Sequence, residues 1–103
     1  MSQYRHIVLF EFIEHIDVLD LERIENAFLD LKTLVPQIKD FEWGLNDNSH
    51  NPTKNKGLTH SYLLTFDNLH DFEIYENGQP HQDFLSLAKP FLHNAVVMCY
   101  RPE

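Results

Sequence analysis

Apolar side chains occupy both faces of residues 4–13, YRHIVLFEFI, where β-branched and aromatic residues run on without a turn former. Such a run predicts a strand. Tyr4, His6, Val8, Phe10 and Phe12 share one face, and Arg5, Ile7, Leu9, Glu11 and Ile13 share the other. A strand apolar on both sides must be covered on both sides. The period then changes. Leu21, Ile24, Phe28, Leu31 and Val35 recur at three- and four-residue steps and draw the single apolar stripe of a helix. Asp17 or Asp20 is placed to cap it and Pro36 to stop it. Residues 39–46 alternate again, with Phe41, Trp43 and Leu45 on one side, as a second strand. The polar, turn-forming stretch 47–57 reads as a long surface loop, with its His50 expected in solvent. Residues 58–66, LTHSYLLTF, form a third strand whose apolar face carries His60, Tyr62, Leu64 and Phe66. A short helix from Asp67 or Asn68 to about Glu76 stops at Asn77-Gly78. Pro80 suits the first turn of a helix over 80–89 that Pro90 ends, and 94–101 is the last strand.

The order β-α-β-β-α-β, with the second helical region in two pieces, predicts one α+β domain over residues 1–103. Short right-handed connections favour a ferredoxin-like, four-stranded antiparallel sheet of the split βαβ kind. The first and third strands are predicted to be its central neighbours and to run parallel. The helices then cover one face and leave Ile7, Leu9 and Ile13 bare on the other. A bare apolar sheet face calls for a partner, so two chains are expected to pair sheet to sheet as a homodimeric α/β barrel.

Composition narrows the partners. Sixteen acidic residues against eight basic ones give a net charge of −8, which repels phosphate backbones and anionic lipid surfaces. No nucleic acid and no membrane partner is therefore expected. Neither a basic region before an apolar run nor a stretch of ~20 apolar residues is present, and the single cysteine, Cys99, fits a reducing compartment. A cytoplasmic location is the simplest expectation. Eight Phe, four Tyr and one Trp are many for 103 residues, and some are expected to line a cavity or an interface.

Four polar residues are candidates for chemistry. His6 precedes Phe12 by six residues, as His60 precedes Phe66. On parallel neighbouring strands the two imidazoles are predicted to stand side by side, about 5 Å apart. His81 opens the last helix on the face of Phe84, Leu85 and Ala88, and Tyr75 ends the helix before it. Each of these residues taken alone is more often structural, and their convergence is what suggests function. Histidine titrates near neutrality and serves as a general base, while a tyrosine hydroxyl donates to a carbonyl or a developing oxyanion. Three inward imidazoles would otherwise suit zinc or iron, but the spacing matches no compact metal motif, and no metal is expected. Cys99 is read as a small core residue without a base beside it. There is no glycine-rich phosphate loop and no nucleophile elbow.

HIVLFEF, VPQIKDFEWG, GLTHSYLLTF and YENGQPHQDF, in this order and spacing from about Tyr4 to Tyr100, resemble the stress-responsive dimeric α/β-barrel family, Dabb. The resemblance implies a ferredoxin-like dimer. It extends to a plant cyclase of the family that closes a polyketide by aldol condensation without metal or organic cofactor. By that likeness Tyr75 and His81 fall on a catalytic pair. His6, His60, Phe10, Phe28, Tyr62 and Phe84 fall on positions facing the substrate. Gly78-Gln79-Pro80-His81 departs from the family's His-Pro-x-His, while Leu85 and Tyr62 are bulkier than their counterparts and are expected to shorten or fill the cavity. The reading is a cofactor-free cyclase- or lyase-like enzyme of a small apolar carbonyl compound. A non-enzymatic stress-response dimer or ligand-binding protein is its rival, and a cofactor-free monooxygenase of the related barrel type is a further alternative.

Overall fold

The computed structural model describes residues 3–47 and 57–103, so His50 lies outside the described residues. The elements follow the order β1 (Tyr4–Phe12), α1 (Val18–Leu34), β2 (Ile38–Leu45), β3 (His60–Phe66), α2 (Leu69–Asn77), α3 (Gln79–Ala88) and β4 (Leu92–Tyr100). A 3₁₀ turn, Lys89–Phe91, joins α3 to β4. Local chemistry sets the boundaries. Asp17 caps α1, its carboxylate accepting from the Leu19 amide at 2.8 Å. The helix ends before Val35, which takes an extended conformation ahead of Pro36. Asn68 caps α2 through the Asp71 amide at 2.8 Å. Gly78 joins α2 to α3 where the chain passes close to itself: a Cβ there would meet the Ile74 carbonyl oxygen at 2.9 Å.

The sheet has the strand order β2-β3-β1-β4, the ferredoxin-like arrangement, and every pairing in it is antiparallel. This corrects the expectation that the first and third strands run parallel. The α1 crossover brings β2 back pointing the same way as β1, and the chain then reverses before β3. Inserted between the two, β3 must oppose both. The correction moves a candidate site residue. His6 pairs with Leu64, whereas His60 pairs with Phe10. The two imidazoles therefore sit four positions apart along the sheet, roughly 13 Å, rather than side by side.

Residues paired directly across antiparallel strands share a face. The helix-covered face carries His6, Val8 and Phe10 of β1 against Leu64, Tyr62 and His60 of β3, all buried. Ile24, Phe28 and Leu31 of α1 close over them, with Phe72 and Tyr75 of α2 and Phe84 and Ala88 of α3. The opposite face presents Ile7, Leu9, Leu63, Val96 and Met98 without helical cover. Cys99 pairs with His6 on the helix side, yet it is exposed rather than part of the core. β4 is an edge strand whose helix-side residues lack the cover that β1 and β3 receive.

Leu64, fully buried on the central β3, measures how tightly this core is packed. Leu64→Ala is expected to cost about 2–5 kcal/mol. Urea unfolding should show a lower midpoint with an unchanged slope.

Candidate active site

Between the β1–β4 half of the sheet and the α2–α3 pair lies a cavity of about 360 Å³, within the range of small-molecule sites. Val8, Phe10, Ala95 and Val97 form its sheet side, and Phe28 and Phe84 part of its helix side. Three polar groups gather at one end: His6 from β1, Tyr75 from the last turn of α2, and His81 from the first turn of α3; Glu76 and Lys89 also border the cavity. The α2–α3 junction at Gly78 turns these last two side chains toward each other. The Tyr75 and His81 rings lie 4.7 Å apart and those of Tyr75 and His6 5.9 Å apart.

Hydrogen bonds decide what each group can do. His81 Nδ1 lies 3.0 Å from the Glu76 carbonyl oxygen. A carbonyl only accepts, so Nδ1 carries the proton, and in the neutral ring Nε2 keeps its lone pair. His81 is thereby held as a base. Tyr75 is 1% exposed, and its hydroxyl has no hydrogen-bond partner among the described residues. Burial first, and Glu76 second, push its phenol well above the ordinary value, so it stays protonated and has a proton to donate. Burial first, and His81 second, lower the pKa of His6 from 6.5 to about 4, which keeps that ring neutral at physiological pH. Its Nδ1 lies 3.2 Å from Cys99 Sγ. Cys99 therefore does have an imidazole beside it.

His60 and Tyr62 do not line this cavity. His60 Nε2 donates to Glu25 Oε2 at 2.7 Å, and Thr59 Oγ1 lies 2.9 Å from its Nδ1. Both side chains of the Glu25–His60 pair are largely buried, at 20% and 5% exposure. Trp43 stacks nearly flat on the imidazole and Phe12 meets it edge-on. Tyr62 stands between this cluster and the cavity, 4.3 Å from the Phe28 ring and 5.6 Å from Phe10. Its hydroxyl is buried without a hydrogen-bond partner, and burial, with Glu25 second, pushes its pKa well above the ordinary value.

Of the eight sequence-proposed site residues, six border one cavity: His6, Phe10, Phe28, Tyr75, His81 and Phe84. Leu85 joins the lining and Tyr62 stands behind it, yet the space is not filled. Reading the sequence missed Glu25, whose signal was its place beside Ile24 and one turn before Phe28 on α1. It also missed Ala95 and Val97, legible as the inward-alternating residues of β4. Among the described residues no three His, Cys, Asp or Glu side chains gather as a metal-ligand set.

The chain is 24% identical to olivetolic acid cyclase of Cannabis sativa over 99 residues, 96% of each protein. It is 30% identical over 98 residues to a stress-response A/B barrel domain-containing protein of Arabidopsis thaliana, covering 94% of this chain and 84% of that one. Its fold matches hydroxynitrile lyase from Passiflora edulis with a TM-score of 0.91 at 24% identity, over 99% of this chain and 94% of that one. A dimeric ferredoxin-like protein from Thermobifida fusca matches with a TM-score of 0.80 at 19% identity, over 98% and 92% of the two chains. The family model for the stress responsive A/B barrel domain matches residues 4–101. The chain belongs to the stress responsive A/B barrel domain (Dabb) family.

Proposed function

We propose that the protein is a cofactor-independent enzyme of lyase or cyclase type acting on a small apolar carbonyl compound. The observation that carries this reading is the facing of Tyr75 and His81 at one end of a largely apolar cavity. His81 Nε2 takes a proton beside the reacting carbon–oxygen group. Tyr75 donates to the oxygen as charge grows on it. The kinship supports this at the level of reaction type. A hydroxynitrile splits by losing its hydroxyl proton while the bond to cyanide breaks and a carbonyl forms. A base with a neighbouring donor suits that step. In an apolar site such a base contributes on the order of 10²–10⁴ in rate, and an oxyanion donor about 10²–10³. The apolar walls select the body of the substrate, and in this reading the Glu25–His60 pair is structural. The protein acts as a homodimer joined through the uncovered sheet face of Leu9, Leu63 and Met98.

Catalysis is tested by turnover of an aromatic hydroxynitrile and by binding of para-nitrophenolate, an apolar ring bearing an oxyanion. Tyr75→Phe should weaken para-nitrophenolate about tenfold or more. Tyr75→Phe and His81→Gln should each lower kcat by at least about 10². Unchanged turnover in both variants removes the assignment.

The neutral state of His6 has a consequence for stability. Between about pH 6.5 and 4 the unfolded chain takes up a proton that the folded imidazole does not. Its stabilising contribution is therefore complete above pH 6.5 and is lost as pH falls toward 4, by at most about 3 kcal/mol. Chemical denaturation at pH 7 and pH 4 should show a steeper loss for the wild type than for His6→Gln. Equal losses would contradict the neutral imidazole.

For the dimer, sedimentation at micromolar concentration should give close to twice the 12.2 kDa of one chain. Leu9→Asp should reduce it to one chain, and a wild type sedimenting at 12.2 kDa would exclude the dimer.

A further inference from the structure

His6 has one ring nitrogen engaged and one free. Its Nδ1 meets the Cys99 thiol at 3.2 Å, and Nε2 has no partner among the described residues while the ring borders the cavity. Two arrangements satisfy the contact: Nδ1–H donating to sulfur, or S–H donating to Nδ1. A thiol is a weak donor and sulfur a weak acceptor, but the thiol is far more acidic than a neutral imidazole N–H and the ring nitrogen is a good acceptor, which favours S–H donating to Nδ1. With Nδ1 accepting, the single proton of the neutral ring must sit on Nε2.

We propose that Cys99 is a positioning residue that holds His6 in the Nε2–H tautomer, making it a second hydrogen-bond donor to the ligand oxygen. His81 is held in the opposite tautomer by the Glu76 carbonyl, so the two imidazoles of one cavity have complementary duties. One offers a lone pair and the other a proton. An independent observation points the same way: Tyr75, a residue 1% exposed at the same end of the cavity, has no hydrogen-bond partner for its hydroxyl among the described residues. A donor left open beside a cavity in this way is free for a ligand acceptor. Two donors beside one base match an oxygen that gains charge as a neighbouring proton leaves, as in a carbonyl becoming an enolate. The ligand class is therefore a ketone, aldehyde or thioester whose reacting oxygen accepts two hydrogen bonds. This inference rests on the carbonyl-site reading, but its test does not need turnover.

Nitrogen NMR of the histidine-labelled, ligand-free protein at neutral pH reads the tautomer directly. In the wild type and in Cys99→Ser, which keeps a donor, the Nδ1 of His6 should resonate as an unprotonated, hydrogen-bonded nitrogen, with the proton on Nε2. In Cys99→Ala the two tautomers should mix. Para-nitrophenolate should bind Cys99→Ala about tenfold more weakly than wild type and Cys99→Ser within about twofold of it. Cys99 is exposed, so both variants should fold. A wild-type His6 protonated on Nδ1, or a Cys99→Ala spectrum identical to wild type, overturns the proposal. Neither result touches the Tyr75 and His81 assignments, which stand or fall on turnover.

Discussion

Helices cover one face of this sheet unevenly, and the site depends on that imbalance. Over β1 and β3 the cover is dense: Ile24, Phe28 and Leu31 press on Val8, Phe10, Tyr62 and Leu64, and all are buried. Over β4 it thins out, and Val97, on the same face as Val8, is 57% exposed. An edge strand without a helix above it leaves apolar wall facing empty space, and this is where the cavity lies. Close packing of the rest makes the gap specific. The stack of Phe10, Phe28, Tyr62 and Phe84 closes one side as firmly as β4 leaves the other open.

The same imbalance gives the histidines different lives. His60 lies under the dense cover, beside Glu25, and a buried imidazole next to a carboxylate on an apolar stripe is satisfied where it stands. His6 and His81 lie at the thin end, where each is held through one nitrogen and keeps the other for the cavity. Burial lowers the pKa of His6 to about 4 and lifts the Tyr75 phenol, so each is fixed in its neutral form. In the reading proposed above, one environment supplies a base and its donors from three residues of ordinary reactivity. No unusual group is needed, because placement supplies the difference.

Much of this was legible along the chain. The two-sided apolar character of residues 4–13 announced a strand with partners on both faces, and the stripe from Leu21 to Val35 announced the helix over it. Inward alternation on β1 and helical spacing from His81 to Ala88 were enough to turn His6 and His81 toward the interior. The relation between strands was not legible. Direction is a property of a pair, and no periodicity within β3 reports which way β1 runs beside it. The error was one of direction alone, but it carried His60 roughly 13 Å from where it was expected.

Cys99 shows the boundary between the two kinds of information. By itself the sequence determined the elements, their order, the inward faces and the polar residues those faces carry, because these follow from local side-chain periods and caps. Only the tertiary structure decided that β4 is an uncovered edge, that Cys99 meets His6 there, and that Glu25 claims His60. It also decided that Glu76 orients His81 by offering a carbonyl. Each of these is a contact between elements distant in sequence or set by the angle of a junction. Their energies depend on distance and direction, which a linear pattern does not contain.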